Sequence, residues 1–136
     1  MNTEIVVAVK AIIEYRNQYL IIKRDENDEI GAGTWEFLGG KAEFGEDLEC
    51  VLIRESNEET GLNIAIDKLL YATSFLSNPC RQVIILAYKC HASYDDVTLS
   101  FEHTNYLWAS ISQLRENLDI EIVKSIEKYH VFDILQ

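Results

Sequence analysis

Proline occurs once, at Pro79, and no stretch is rich in serine and glycine, so the sequence offers no linker between domains. Internal repeats and low-complexity segments are also lacking, and residues 1–136 read as one domain with enough apolar content, 48%, for a real core. No apolar run approaches the roughly 20 residues that a membrane-spanning helix needs. The opening Met1, Asn2, Thr3 and Glu4 have neither the basic start nor the small-residue cleavage site of a signal peptide. The expectation is a cytoplasmic protein with no membrane partner. Cysteine is sparse and odd in number: Cys50, Cys80 and Cys90 show no metal-ligand spacing. They are expected to be free thiols, buried or half-buried, in a reducing compartment.

Positive charge is the other scarcity. Twelve basic residues face 23 acidic ones, for a net charge of −11. Affinity for a long nucleic acid comes largely from Lys and Arg neutralising phosphates, so that class of partner is excluded. A small phosphate ester remains compatible, provided that cations stand between protein and substrate.

What is present is an alternation of strands and helices. Residues 4–14 are nearly continuous in apolar and β-branched side chains, the pattern of a strand buried on both faces. Residues 15–18 read as a turn into a second strand over 19–23. Residues 25–33 are polar, acidic and glycine-bearing, hence a loop, and a short strand over 35–38 runs into Gly39 and Gly40. Residues 46–60 have helical periodicity, with Gly61 placed as a left-handed cap. Strands over 69–76 and 82–91 join across Ser77, Asn78 and Pro79, and 106–109 form another strand. A helical turn over 112–116 and an amphipathic helix over 120–129 close the chain. This order implies an α/β layered fold with a mixed sheet.

The chemistry concentrates in residues 40–62, GKAEFGEDLECVLIRESNEETGL. On a helical wheel Leu48, Val51 and Leu52 form the apolar stripe, and Glu55, Glu58 and Glu59 continue it at i, i+3 and i+4. Three carboxylates thus fall on the face that earlier turns bury. Their mutual repulsion is removed by hard cations such as Mg²⁺, which prefer clustered carboxylate oxygens. A solvated acidic face would place them on the opposite side.

These residues resemble the Nudix box: a glycine, five residues, Glu, seven residues, then Arg-Glu-aliphatic-x-Glu-Glu-x-Gly-aliphatic. Gly40, Glu46, Arg54, Glu55, Glu58, Glu59, Gly61 and Leu62 stand at those spacings. Chance would match the seven Gly, Glu and Arg positions in about one chain per million or fewer. The approach Trp35-Glu36-Phe37-Leu38-Gly39-Gly40 is similar to the family's as well. Three positions depart from it: Ser56 replaces an aliphatic residue, and Leu38 and Phe44 stand where proline is common. None of these removes a ligand or a charge.

The resemblance implies an α/β/α sandwich and a hydrolase that cuts a pyrophosphate bond in a nucleoside diphosphate linked to another moiety. It implies Mg²⁺, with Mn²⁺ as the alternative ion, held by Glu55, Glu58 and Glu59 with the Gly39 or Gly40 carbonyl. Arg54 and Glu46 would pair and tie the loop to the helix. A further ligand or general base lies, in MutT-like members, six residues before a tryptophan on a late loop; Glu102 stands so before Trp108. His103 beside it reads as a hydrogen-bonding loop residue.

Within the family, compactness and the Trp-Glu-Phe-x-Gly-Gly run favour a MutT-like nucleoside triphosphate pyrophosphohydrolase over an ADP-ribose or nucleotide-sugar pyrophosphatase. Pro79 resembles a proline of the ADP-ribose enzymes, although a turn role also accounts for it. For the nucleotide, Phe37 offers base stacking or else core packing, with Gly39 and Gly40 letting the backbone approach closely. Asp119 lies where MutT-like enzymes read the base, and it also directly precedes a helix as an N-cap would. The partners expected are a small nucleotide and, at most, a second copy of the chain in a homodimer. A nucleotide-sensing module without hydrolysis would be expected to lack a box carboxylate, and all are present.

Overall fold

The computed structural model describes residues 2–27 and 31–135. Three residues of the loop expected over 25–33, Asp28, Glu29 and Ile30, lie outside the described residues. Strand β1 (Glu4–Tyr15) turns through Arg16 and Asn17, both at positive φ, into β2 (Gln18–Arg24). Then follow β3 (Trp35–Glu36), β4 (Leu38–Ala42) and helix α1 (Leu48–Thr60). Strands β5 (Ile64–Asn78), β6 (Arg81–Ala92) and β7 (His103–Ala109) precede helices α2 (Ile111–Asn117), α3 (Ile120–Lys128) and α4 (Val131–Leu135).

The seven strands form one mixed sheet of order β3-β2-β1-β6-β5, with β4 on β1 and β7 on β2. Among the described residues β1 and β6 pair in parallel, and the other strand pairings are antiparallel. One edge of β1 is given to β6 along most of its length. The other edge serves two partners, β4 at residues 7–11 and β2 at 14–15. The sheet therefore splits beside Lys10, and the split opens the space used below.

Alternation along the strands assigns each residue to a layer. Val9, Ala11, Ile13, Leu20 and Ile22 pack under Val51 and Leu52 of α1. Ile12, Tyr19 and Ile21 face the other way, against Leu114, Val123, Ile126 and Phe132 from α2, α3 and α4. Helices on both faces of a mixed sheet make the α/β/α sandwich. Among the described residues no helix is long and apolar enough to cross a membrane.

Several boundaries differ from the sequence pattern. Strand β5 begins at Ile64 rather than near 69, because register shifts at Ile66/Lys68 and Leu69/Tyr71 interrupt its alternation. The closing helix stops at Lys128; His130, at φ 56°, turns the chain and α4 follows. The Tyr19 hydroxyl donates to the Leu135 carbonyl at 2.5 Å, which docks that last turn. Cys90 is buried, but Cys50 is exposed on α1, contrary to the expectation of burial. Pro79 sits at the tip of the β5–β6 hairpin, where the Asn78 side chain accepts from the Cys80 amide at 2.8 Å.

Candidate active site

A broad cleft of about 650 Å³ opens at the split in the sheet. Its walls include Gly39 and Gly40 of β4, Glu55 and Glu59 of α1, and Glu102 and His103 at the start of β7.

Helix α1 is set by local chemistry. Asp47 caps it by accepting from the Cys50 amide at 3.1 Å, which explains why it starts at Leu48 rather than at 46. Gly61, at φ 76°, ends it and donates to the Asn57 carbonyl at 2.8 Å. Ser56, in place of an aliphatic residue, is fully buried; its hydroxyl donates to the Leu52 carbonyl at 2.7 Å, so the missing carbon chain leaves no unpaired polar group.

The three box carboxylates do not share one environment. Glu59 is buried, Glu55 is half-buried, and Glu58 is 60% exposed beside the Arg54 guanidinium at 3.8 Å. The expectation of three inward carboxylates is corrected to two. Glu58 lies about 100° around the helix from Glu59, on the margin of the buried stripe. Arg54 also pairs closely with Glu46, whose other oxygen accepts from the Glu43 amide at 2.8 Å. The loop before α1 is thereby tied to the helix. This pairing holds the Glu46 carboxyl below its ordinary range and raises the Arg54 guanidinium.

Gly39 and Gly40 are demanded by intramolecular contacts. A Cβ at Gly39 would run into the Val9 carbonyl of the paired strand, and one at Gly40 would lie 2.5 Å from Glu55 Cγ.

The loop before β7 is laced onto the end of α1. The Thr98 amide donates to the Thr60 carbonyl at 2.9 Å, and the Ser100 amide to the Glu59 carbonyl at 3.0 Å. Trp108 holds the same loop through its indole N–H, 3.1 Å from the Asp95 carbonyl. The lacing carries Glu102 and His103 to Glu59, so that one ligand atom of each lies within 4.8 Å of the others. Glu59 Oε2 is buried with no hydrogen-bond partner among the described residues. Burial raises the Glu59 carboxyl to about 7; His103 opposes this, and Glu55 adds to it. An unpartnered carboxylate oxygen beside two further donors fits a divalent cation.

Sequence reasoning missed a second charged cluster in the cleft. Glu36 accepts from Lys10 Nζ at 3.3 Å and Arg24 at 3.2 Å, with His103 Nε2 at 3.4 Å. Burial alone would raise the Glu36 carboxyl, but His103, Lys10 and Arg24 together lower it to about 2. The available signal was a charge set among apolar residues, Lys10 within the run 5–13 and Glu36 between Trp35 and Phe37. Phe101, 90% exposed on the cleft wall, was missed as well.

Phe37 and Asp119, each open to a base-reading or a structural role, both take the structural one. Phe37 is 2% exposed within the layer under α2 to α4, so core packing replaces the stacking role. Asp119 caps α3, accepting from the Glu121 amide at 3.4 Å, and does not line the cleft. Its carboxylate is engaged by the helix it starts.

The NUDIX domain family matches residues 4–129. A MutT-like protein from Streptomyces ambofaciens is 30% identical over 79% of this chain and 64% of its own length, so the chain spans under two thirds of that relative. A CTP pyrophosphohydrolase from Escherichia coli K12 is 29% identical over 79% of this chain and 77% of its own length. Among solved structures, a MutT protein from Methanosarcina mazei Go1 superposes with TM-score 0.85 at 26% identity, covering 98% of both chains.

Proposed function

This chain belongs to the Nudix family, and from that premise we propose that it is a hydrolase of pyrophosphate bonds that cleaves nucleoside triphosphates to the monophosphate and pyrophosphate with Mg²⁺. The observation that carries the reading is a buried Glu59 oxygen, unpartnered among the described residues, in a group with Glu102 and His103 whose ligand atoms lie within 4.8 Å of one another on the wall of an open cleft. A polyphosphate cannot approach Glu55, Glu59 and Glu102 unless their charge is offset.

Glu59 and Glu102 would hold the cation, with Glu55, the Gly40 carbonyl, and Glu58 swung away from Arg54. When bound, the cation neutralises phosphate charge and lowers the pKa of a water. The chain's own residues set the geometry. Gly40 leaves room for Glu55, the Arg54–Glu46 pair fixes the helix to its loop, and the lacing of residues 98–100 fixes Glu102. The exposed face of Phe101 is suited to stack on the base. The triphosphate choice is supported by the relative named for CTP.

The test is a release assay across nucleoside triphosphates, nucleotide sugars and dinucleoside polyphosphates, with and without chelator. Triphosphates should give the highest specificity constant, and chelator should abolish turnover. Undiminished turnover in excess chelator removes the metal reading. A specificity constant for ADP-ribose about tenfold above the best triphosphate, more than a kcal/mol in transition-state binding, reverses the substrate choice.

A further inference from the structure

His103 sits at the junction of the two charged clusters. Its side chain is 6% exposed, and its Nδ1 is buried with no hydrogen-bond partner among the described residues. Its Nε2 lies 3.4 Å from Glu36 Oε2. Glu36 already accepts from Lys10 and Arg24, so the ring nitrogen turned to it serves as a further donor, and Nδ1 is the nitrogen left without a partner among the described residues. One ligand atom each of His103, Glu59 and Glu102 lies within 4.8 Å of the others, and among the described residues Glu59 Oε2 is, like His103 Nδ1, buried and unpartnered. A histidine that ligates a metal through one nitrogen commonly donates its other N–H to a carboxylate, which fixes both tautomer and ring orientation. Glu36 stands in that relation to His103.

Resting on the metal-dependent reading above, we propose that His103 Nδ1 is a ligand of the metal centre beside Glu59 and Glu102, making it a mixed nitrogen–oxygen site that favours a first-row transition dication over Mg²⁺. An imidazole adds affinity for ions such as Mn²⁺ and Co²⁺, and little for the hard Mg²⁺, which prefers oxygen. Glu36 is then a positioning residue, acting through His103.

Mn²⁺ is the probe, because pulsed electron paramagnetic resonance detects a directly bound imidazole nitrogen. The full chain loaded with Mn²⁺ should show nitrogen coupling. His103→Gln should lose that coupling and bind Mn²⁺ roughly 10- to 100-fold more weakly. Its Mg²⁺ affinity, read by competition, should change by less than about threefold. Glu36→Gln should keep the coupling while weakening Mn²⁺ binding by roughly tenfold. The other two histidines, His91 and His130, do not line the cleft, so the coupling has one source. The parent spectrum decides even where a variant folds poorly. Mn²⁺ bound without nitrogen coupling overturns the assignment of His103 and leaves the oxygen-ligated hydrolase standing. No Mn²⁺ binding overturns both.

Discussion

The carboxyl group of Glu55 occupies the volume that a side chain on Gly40 would need. A Cβ there would lie 2.5 Å from Glu55 Cγ and 2.7 Å from its Cδ. Strand β4 is held by its register on β1, with Gly40 opposite Val9, so the strand has little freedom to retreat. Gly40→Ala should therefore push Glu55 out of the cleft. We expect turnover to fall roughly 100-fold from a misplacement of about 1 Å, with a stability loss of about 1–3 kcal/mol for the crowding. Near-parental turnover in a well-folded Gly40→Ala protein would show that Glu55 needs no fixed seat.

Glu59 gives the metal-free protein a pH dependence of definite sign. Burial, with Glu55 adding and His103 opposing, lifts its carboxyl from 4.5 to about 7 in the folded state. A group whose folded pKa is raised contributes stability that is complete below the unfolded value. That contribution is lost as pH rises through about 7. In chelator, the parent should thus be less stable at pH 8 than at pH 5 by up to a few kcal/mol. Glu59→Gln should lack this difference and exceed the parent at pH 8. Glu36 acts at the other limb: with its carboxyl lowered to about 2, its contribution is present above 4.5 and lost as pH falls toward 2. Denaturation of parent and Glu59→Gln at the two pH values measures the effect, and identical profiles would mean that Glu59 is not held in a dry pocket.

Much of this was legible in the sequence, and the gaps have physical causes. The box helix, its glycine cap and the acidic turn follow from residues near one another in the chain. Its start moved to Leu48 because Asp47 is recruited as a cap. The break at His130 carries no glycine to announce it, and His130 adopts a positive φ that the sequence pattern does not mark. In the site, Glu102 could be placed by its distance from Trp108, which anchors the loop. The His103–Glu36 contact could not, since it joins residues 67 apart in the chain. It requires β3 and β7 to flank β2, and a register shift at Lys23/Arg24 to bring His103 opposite Arg24. For Phe37 the sequence left base stacking beside core packing as alternatives, and the strand's facing decides for packing.

Glu58 separates charge relief from metal affinity. It is 60% exposed, with the Arg54 guanidinium 3.8 Å away. An exposed pair of this kind contributes about 0–1 kcal/mol. In chelator Glu58→Gln should melt within about 2 °C of the parent, a shift that corresponds to less than 1 kcal/mol for a domain of this size. With saturating Mg²⁺ the parent should gain more than the variant, because only the parent can bring this carboxylate to the cation. Equal gains in both proteins would remove Glu58 from the metal shell and leave it a partner of Arg54.

Phe101 tests how the nucleotide is held. It is 90% exposed, stands on the cleft wall and belongs to neither hydrophobic layer, so removing its ring should leave the fold intact. Its neighbour Ser100 donates its amide to the Glu59 carbonyl, and that backbone contact does not depend on the side chain at 101. Phe101→Ala should therefore melt within about 2 °C of the parent. If the ring stacks on the base, its loss should weaken binding by about 1–3 kcal/mol, the worth of an aromatic–base stack. Stacking acts on a part of the substrate far from the reacting phosphorus, so it stabilises ground state and transition state alike. The loss should then fall on KM, roughly 10- to 100-fold, with kcat little changed. Phe101→Tyr keeps the face and should restore KM. Inorganic tripolyphosphate has no base to stack, and its affinity as a competitor should be the same for parent and Phe101→Ala. An unchanged KM for nucleotides in Phe101→Ala would place the base elsewhere in the cleft. A fall in kcat at constant KM would instead mean that the ring acts by holding Glu102, the next residue in the chain.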